Sequence, residues 1–473
     1  MLSNPIIRRY RFSQLRPQQA WVFGAVYAGI VLLVLFINSS LYRYEDTYYQ
    51  TSIHLYKGLF VQFAIIEVFL LWLLCPANCS TVVSREIADK SFDFFRMLPL
   101  SAAQKAVGIL IGRNLFCLLV AGVNLIFCLF FAVVGELSGH LIAQLLTILA
   151  SIALALNLLA LMLSLMNYKK RKNTSIPVLV VFGLFAFGPV MGSLMDLVHE
   201  QKIETTTAFF YTLEMPLLYV ISMCAVFVAI WAYIGVLRRL TYEYEALFSR
   251  LGASLFMITY AAMLGGLFYK GLLVSDDPDT PRFFWLLGLL PVAIVPLFAI
   301  RGFDRYLEIT RTAHRVKGLF GRLLINSNIL SGLVLFAIWL VFAIAAAITA
   351  QAVGVELLWL SLIALSFSLV IWALVETFSL WKPKNEKIGY LLSFLAILYL
   401  VLPFILSGLF ENPMLLLFSP LGIWNVFNPE YREISVLLMP LVFNLICLVI
   451  LGLCIVERYF DLVKIRSQME QQQ

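Results

Sequence analysis

Residues 114–134 read NLFCLLVAGVNLIFCLFFAVV, and this stretch decides the fold. It holds no charged residue and no alternation of apolar and polar positions. About 20 such residues suffice for a helix to cross the hydrocarbon core of a bilayer. Lipid offers a backbone no hydrogen-bond partners, so a spanning segment must be a helix or part of a closed barrel. A barrel strand would show a period of two, which this run lacks.

Working outward, runs of the same kind fall at 21–38, 58–76, 142–166, 176–195, 213–236, 254–274, 284–300, 328–352, 357–380, 388–409 and 435–456. With 114–134 this predicts an all-α polytopic membrane protein of about twelve transmembrane helices. Composition agrees: 62% of the 473 residues are hydrophobic and 13% are charged. A soluble domain is nearer half apolar and about a quarter charged. The net charge of +7 does not imply nucleic acid, because the basic residues sit at helix ends, where they act as orientation signals.

If the N-terminus is cytoplasmic, 28 of the 34 Lys and Arg fall on the cytoplasmic side. The opposite side keeps Arg43, Lys57, Lys202, Lys270, Arg282 and Arg432 and the acidic Asp276, Asp277 and Asp279. Both termini are therefore expected inside. The chain also reads as duplicated. Gly135-Glu136-Leu137 ends the third run, and Gly354-Val355-Glu356-Leu357 ends the ninth. The predicted organisation is a basic interfacial helix at 1–20, six-helix halves at 21–240 and 241–457, and a cytoplasmic tail at 458–473. Arg8, Arg9, Arg11 and Arg16 precede the first run without a small-residue cleavage site after it, so 5–19 reads as a segment on the inner surface. The seven cysteines read as small core residues, with no metal site and no catalytic set among them and the four histidines.

Residues 84–113, SREIADKSFDFFRMLPLSAAQKAVGILIGR, form the most informative loop. Ile87, Ser91, Phe94, Phe95 and Leu98 share one helical face, and Glu86, Asp89, Lys90 and Asp93 the other. Pro99 ends this short helix, and Ser101–Gln104 supplies a capping box for the next. The periodicity fits a helix lying on lipid and fits a docking element for a soluble partner. This stretch resembles the first cytoplasmic loop of ABC-2 type permeases, the membrane subunits of ATP-binding-cassette exporters. The resemblance lies in Arg85-Glu86, the acidic turn at 89–93, Phe94-Phe95, Leu98-Pro99-Leu100-Ser101 and Gly112-Arg113; Lys90-Ser91 departs from the Gly-Thr often found in that family.

The resemblance implies a coupling helix seated on a separate ATPase subunit, with Arg85, Glu86, Asp89, Lys90, Asp93 and Arg96 as its polar rim and Phe94 and Phe95 as anchors. A doubled chain would bind two such subunits. ATP and magnesium would be held by the partner, since this chain has no phosphate-binding loop and needs no cofactor of its own. It also implies a plasma membrane, such as a bacterial inner membrane. In the second half, Asp304, Arg305, Glu308 and Arg311 form a charge lattice that marks a possible second coupling helix. Glu67 stands mid-span, where a charge costs about 3 kcal/mol, and reads as a possible pathway residue or a buried helix contact. Two other classes stay open: a secondary transporter of the major facilitator type, and a polytopic enzyme acting on lipid-linked substrates. Cargo, direction of transport and the number of copies are not specified by these residues.

Overall fold

The structure, a computed structural model, describes residues 4–14, 17–41, 48–89, 97–166, 207–241, 247–248, 250–273, isolated positions between 362 and 378, 394, 397–410, 415, 418–419 and 434–471. The expected spans 176–195, 284–300 and 328–352 lie outside the described residues, as do Asp304, Arg305, Glu308 and Arg311. So do Lys90, Asp93, Phe94, Phe95 and Arg96.

The described chain is helical almost throughout. Among the described residues, six helical stretches are long and apolar enough to cross a membrane: Leu55–Ile87, Ala102–Val134, Gly139–Leu165, Leu217–Thr241, Leu251–Phe268 and Leu438–Arg458. Two shorter apolar helices, Gly24–Ile37 and Ile397–Leu409, fall within the expected runs 21–38 and 388–409. Contacts divide the chain into two units, Met1–Ala208 with Glu214–Glu245, and Phe209–Leu213 with Ala246–Gln473.

In the first unit, α1 spans Pro5–Gln14 and α2 spans Pro17–Leu41. Helix α3, Tyr48–Val68, runs on through a π turn at Phe69–Leu74 into α4, Cys75–Ser80, and α5, Val82–Ala88. Then come α6, Ala102–Val134, α7, Gly139–Met166, and α8, Leu217–Thr241. Helix α3 packs on α6, and α7 lies along α8. Phe63 joins α3 to α6, stacked on Phe131 at 5.3 Å and on Phe127 at 5.6 Å. Val68 and Trp72 pack with Ile148, Ile152 and Leu156 of α7 and Leu218 of α8.

The second expected span does not stop at residue 76. Pro76 has no N–H, and in a regular α-helix its ring would collide with the Trp72 carbonyl. The helix widens instead of ending, and the Cys75 N–H reaches back five residues to the Leu70 carbonyl. The loosened carbonyls find side chains: Leu70 accepts from the Cys117 thiol at 3.4 Å and Leu71 from the Asn157 amide at 3.4 Å. The Trp72 indole N–H donates to the Leu149 carbonyl at 3.1 Å, tying the turn to α7.

The second unit contains α9, Arg250–Leu273, a π turn at Ile397–Val401, α10, Leu402–Leu409, and α11, Ile434–Gln471. This π turn also stands just before a proline, Pro403. Tyr399 within it donates to Asn444 of α11 at 3.2 Å, and Asn444 donates to Ser366 at 2.9 Å. The Tyr211 N–H donates to the Gly266 carbonyl at 2.7 Å, and its hydroxyl to the Ala262 carbonyl at 2.6 Å.

One short described element is not helical. Strands β1, Thr207–Phe210, and β2, Leu213–Pro216, form a two-stranded sheet. The helix expected from residue 213 therefore begins at Leu217, after Pro216, which could not donate within a helix. Glu214 is exposed on β2 and accepts from the Thr207 hydroxyl at 2.7 Å.

The end of α6 shows how the sequence stops a helix. The Leu137 N–H bonds the Ala132 carbonyl at 3.0 Å, and the Glu136 N–H bonds the Val133 carbonyl at 3.1 Å. This pattern requires a left-handed residue after the cap, and Glu136 occupies that place at φ 56°. A side chain there costs about 1–2 kcal/mol. Glu136→Gly is therefore expected to stabilise the protein by up to about 1 kcal/mol, after the entropy that glycine gives up. A thermal-shift measurement in detergent would show a raised melting temperature; a lowered one would contradict this cap geometry.

Candidate functional site

Two polar sites in the first unit bear on function. The first lies where α1 meets the start of α6. Asn4 caps α1, accepting the Ile6 N–H at 3.0 Å, and Pro5 opens the helix without a wasted donor. The buried face of α1 is Ile6, Ile7 and Tyr10, and it packs on α6. Contact is close because α6 presents glycine twice. A Cβ at Gly108 would stand 3.1 Å from the Ile6 Cβ, and one at Gly112 would stand 2.6 Å from the Tyr10 ring. Backbone contacts fix the ends: the Asn4 amide donates to the Gln104 carbonyl at 2.8 Å, and the Gln14 amide to the Arg113 carbonyl at 2.9 Å.

Glu86 of α5 completes this site. Its carboxylate accepts from the Tyr10 hydroxyl at 2.7 Å and from the Arg9 guanidinium at 3.0 Å. Burial, together with the bond to Glu86, raises the Tyr10 phenol far above its ordinary pKa, so it stays a donor. The Tyr10 bond is the stronger tie, since Glu86 is buried whereas the Arg9 side chain is 38% exposed and its charge is screened. The basic N-terminal helix expected on the membrane surface thus has its apolar face on protein.

Of the residues assigned to a coupling rim, Arg85 and Asp89 are exposed, while Glu86 turns inward to α1. Residues 82–88 form α5 and lie at the end of the apolar helical stretch Leu55–Ile87, while most of the predicted short helix, at 90–96, falls outside the described residues. The capping box at α6 is present: Ser101 accepts the Gln104 N–H at 3.2 Å, and the Gln104 side chain accepts the Ser101 N–H at 3.0 Å.

The second site surrounds Glu67, which is 2% exposed. The Asn124 amide of α6 donates to its Oε2 at 2.7 Å and to the Phe63 carbonyl at 2.9 Å. The Tyr27 hydroxyl of α2 donates to Asn124 Oδ1 at 2.9 Å. One carboxyl thus ties three helices through a single asparagine. A similar knot joins α4, α6 and α7: Asn114 donates to Asn157 Oδ1 at 2.9 Å and to the Cys79 sulfur at 3.1 Å. Sequence reasoning missed Asn114, Asn124 and Asn157 as site residues, although an asparagine inside an apolar run signals a helix-to-helix bond. Gly108 and Gly112, four apart, carry an equally visible sign of close helix approach that it also missed. Among the described residues, no three His, Cys, Asp or Glu side chains are grouped to hold a metal.

Glu86→Ala removes the acceptor for Tyr10 and should cost about 1.5–3 kcal/mol at this contact. Gly112→Leu should displace α1 by steric overlap. Both variants are expected to be cut by trypsin at Arg8, Arg9 and Arg11 faster than the parent protein, while the spanning fragment stays intact. Unchanged cleavage in both would refute the docking of α1. Comparison of the chain with protein-family models, with curated proteins and with solved structures finds no match to any of them.

Proposed function

We propose that this chain is the membrane subunit of an ATP-driven exporter of the ABC-2 permease type. In this reading about twelve spanning helices form two six-helix halves, with both termini on the cytoplasmic side of a plasma membrane. Separate ATPase subunits, bringing ATP and magnesium, dock on the loop that follows α5.

One observation carries the proposal. On one side α5 continues the helical stretch Leu55–Ile87, and on the other α6 starts at a fully formed capping box, so helices lead to Asp89 and away from Ser101. In this reading a partner pushes on the ends of these two helices. The push would travel along α5 to the π turn and reach α7 through Trp72. Arg85 and Asp89 stand exposed at the near end of the loop and suit a partner's polar rim. Glu86 takes a different role from its neighbours: it braces the loop against α1.

A second reading, a secondary transporter, is favoured by one residue, the buried Glu67. Asp89→Lys separates the two. It leaves the Glu86 contacts intact, and on the export reading it should weaken copurification of the ATPase about tenfold, equal to ~1.4 kcal/mol at the interface. Transport should stop on ATP depletion. Transport that survives ATP depletion and collapses with the proton gradient would overturn the proposal.

A further inference from the structure

Arg113 is the last residue of α6 before the uncharged run 114–134. At 1.5 Å per residue that run is about 32 Å long, close to the thickness of a bilayer's hydrocarbon core. Arg113 therefore stands at the depth of the lipid phosphates. The bond from the Gln14 amide to the Arg113 carbonyl brings the end of α1 to the same depth. Phe12 of α1 is 69% exposed there, and Trp21, near the start of α2, is 80% exposed. Exposed aromatic side chains favour the headgroup zone.

Arg113 is short of negative charge. Arg85 lies near enough to repel it, and the carboxylate that acts on it, Glu86, already accepts from Tyr10 and Arg9. Among the described residues, no carboxylate forms an ion pair with Arg113 or Arg85. The Arg113 Nε is buried without an acceptor, whereas its two terminal nitrogens are not enclosed. Those nitrogens form a planar fork that matches two phosphate oxygens. An anion on the fork also relieves the repulsion between the two guanidinium groups. At this depth the anion at hand is a lipid phosphate. A choline head brings its own cation towards Arg85, so a head of net negative charge fits better.

We propose that Arg113, with the charge of Arg85 beside it, binds the headgroup of an anionic phospholipid in the leaflet that meets α1. Arg113 holds the phosphate and Arg85 acts through its charge, so the rim contact proposed for Arg85 is compatible with this site. The site goes beyond the export reading and does not rest on it.

The test uses the purified full chain, stripped of lipid in a neutral detergent and read by native mass spectrometry. The probes are dioctanoyl phosphatidylglycerol and dioctanoyl phosphatidylcholine. Phosphatidylglycerol should bind about tenfold more tightly. Arg113→Gln should remove most of that preference. Arg11→Gln is the control: Arg11 is exposed and lies two positions from Arg9, on the opposite side of α1, so its loss should leave the preference in place. Arg113→Lys keeps the charge without the fork and should weaken phosphatidylglycerol binding several-fold; it decides the matter if Arg113→Gln fails to fold. Equal binding of the two lipids by the parent chain would overturn the proposal. So would parent-like binding in Arg113→Gln, or in Arg113→Lys where the first variant does not fold. An equal loss in Arg11→Gln would mean diffuse surface charge in place of a site. Release of the lipid by millimolar glycerol 3-phosphate would mean a site for free phosphate. Either result would overturn the proposal as well.

Discussion

Glu86 sits on a helix that is continuous with a membrane-length segment, yet its carboxylate takes two donors from the N-terminal helix. That contact determines how α1, α5 and α6 meet. Without it, the buried Tyr10 hydroxyl would lose the carboxylate that accepts its hydrogen bond at 2.7 Å, a loss that loosens α1 in its groove. Without glycine at 108 and 112, α1 could not come close enough for Tyr10 to reach Glu86. Close approach and polar bond thus require each other, and together they hold one end of the loop on which the proposed coupling depends.

The same logic repeats deeper in the bundle. A backbone away from water must find its partners inside the protein. Proline removes one donor and disturbs one carbonyl, and the helix answers with a wider turn at Pro76 and again at Pro403. In both places an aromatic residue of the widened turn bonds a neighbouring helix, Trp72 to α7 and Tyr399 to α11. Asn114, Asn124, Asn157 and Asn444 serve as polar ties of the same kind. Each is worth roughly 0.6–2 kcal/mol in an apolar medium, so they fix register between helices rather than drive their association.

Much of this was legible from residues alone. An uncharged run such as 114–134 has one structural solution in lipid, and Ser101–Gln104 announces its cap in four letters. What escaped was anything that needed a partner. The periodicity of α1 is the same whether its apolar face meets lipid or Gly108 and Gly112. Pro76 is visible as a helix breaker, but only the Leu70, Leu71 and Trp72 bonds let the helix pass through it. Glu86 looks like an exposed charge until Tyr10, more than seventy positions earlier, is placed beside it. The hairpin at 207–216 hid behind apolar residues that a helix and a strand use alike.

The docking of α1 on protein rather than lipid is tested most directly by a cross-link. Replacing Ile6 and Gly108 by cysteine would place the two Cβ atoms near 3.1 Å, so a small outward shift reaches disulfide geometry, about 3.8 Å. Oxidation of intact membranes carrying Ile6→Cys and Gly108→Cys together should give a linked peptide pair detectable by mass spectrometry. Introduced thiols that stay unlinked to each other would place α1 elsewhere and contradict the brace on which the coupling loop is proposed to rest.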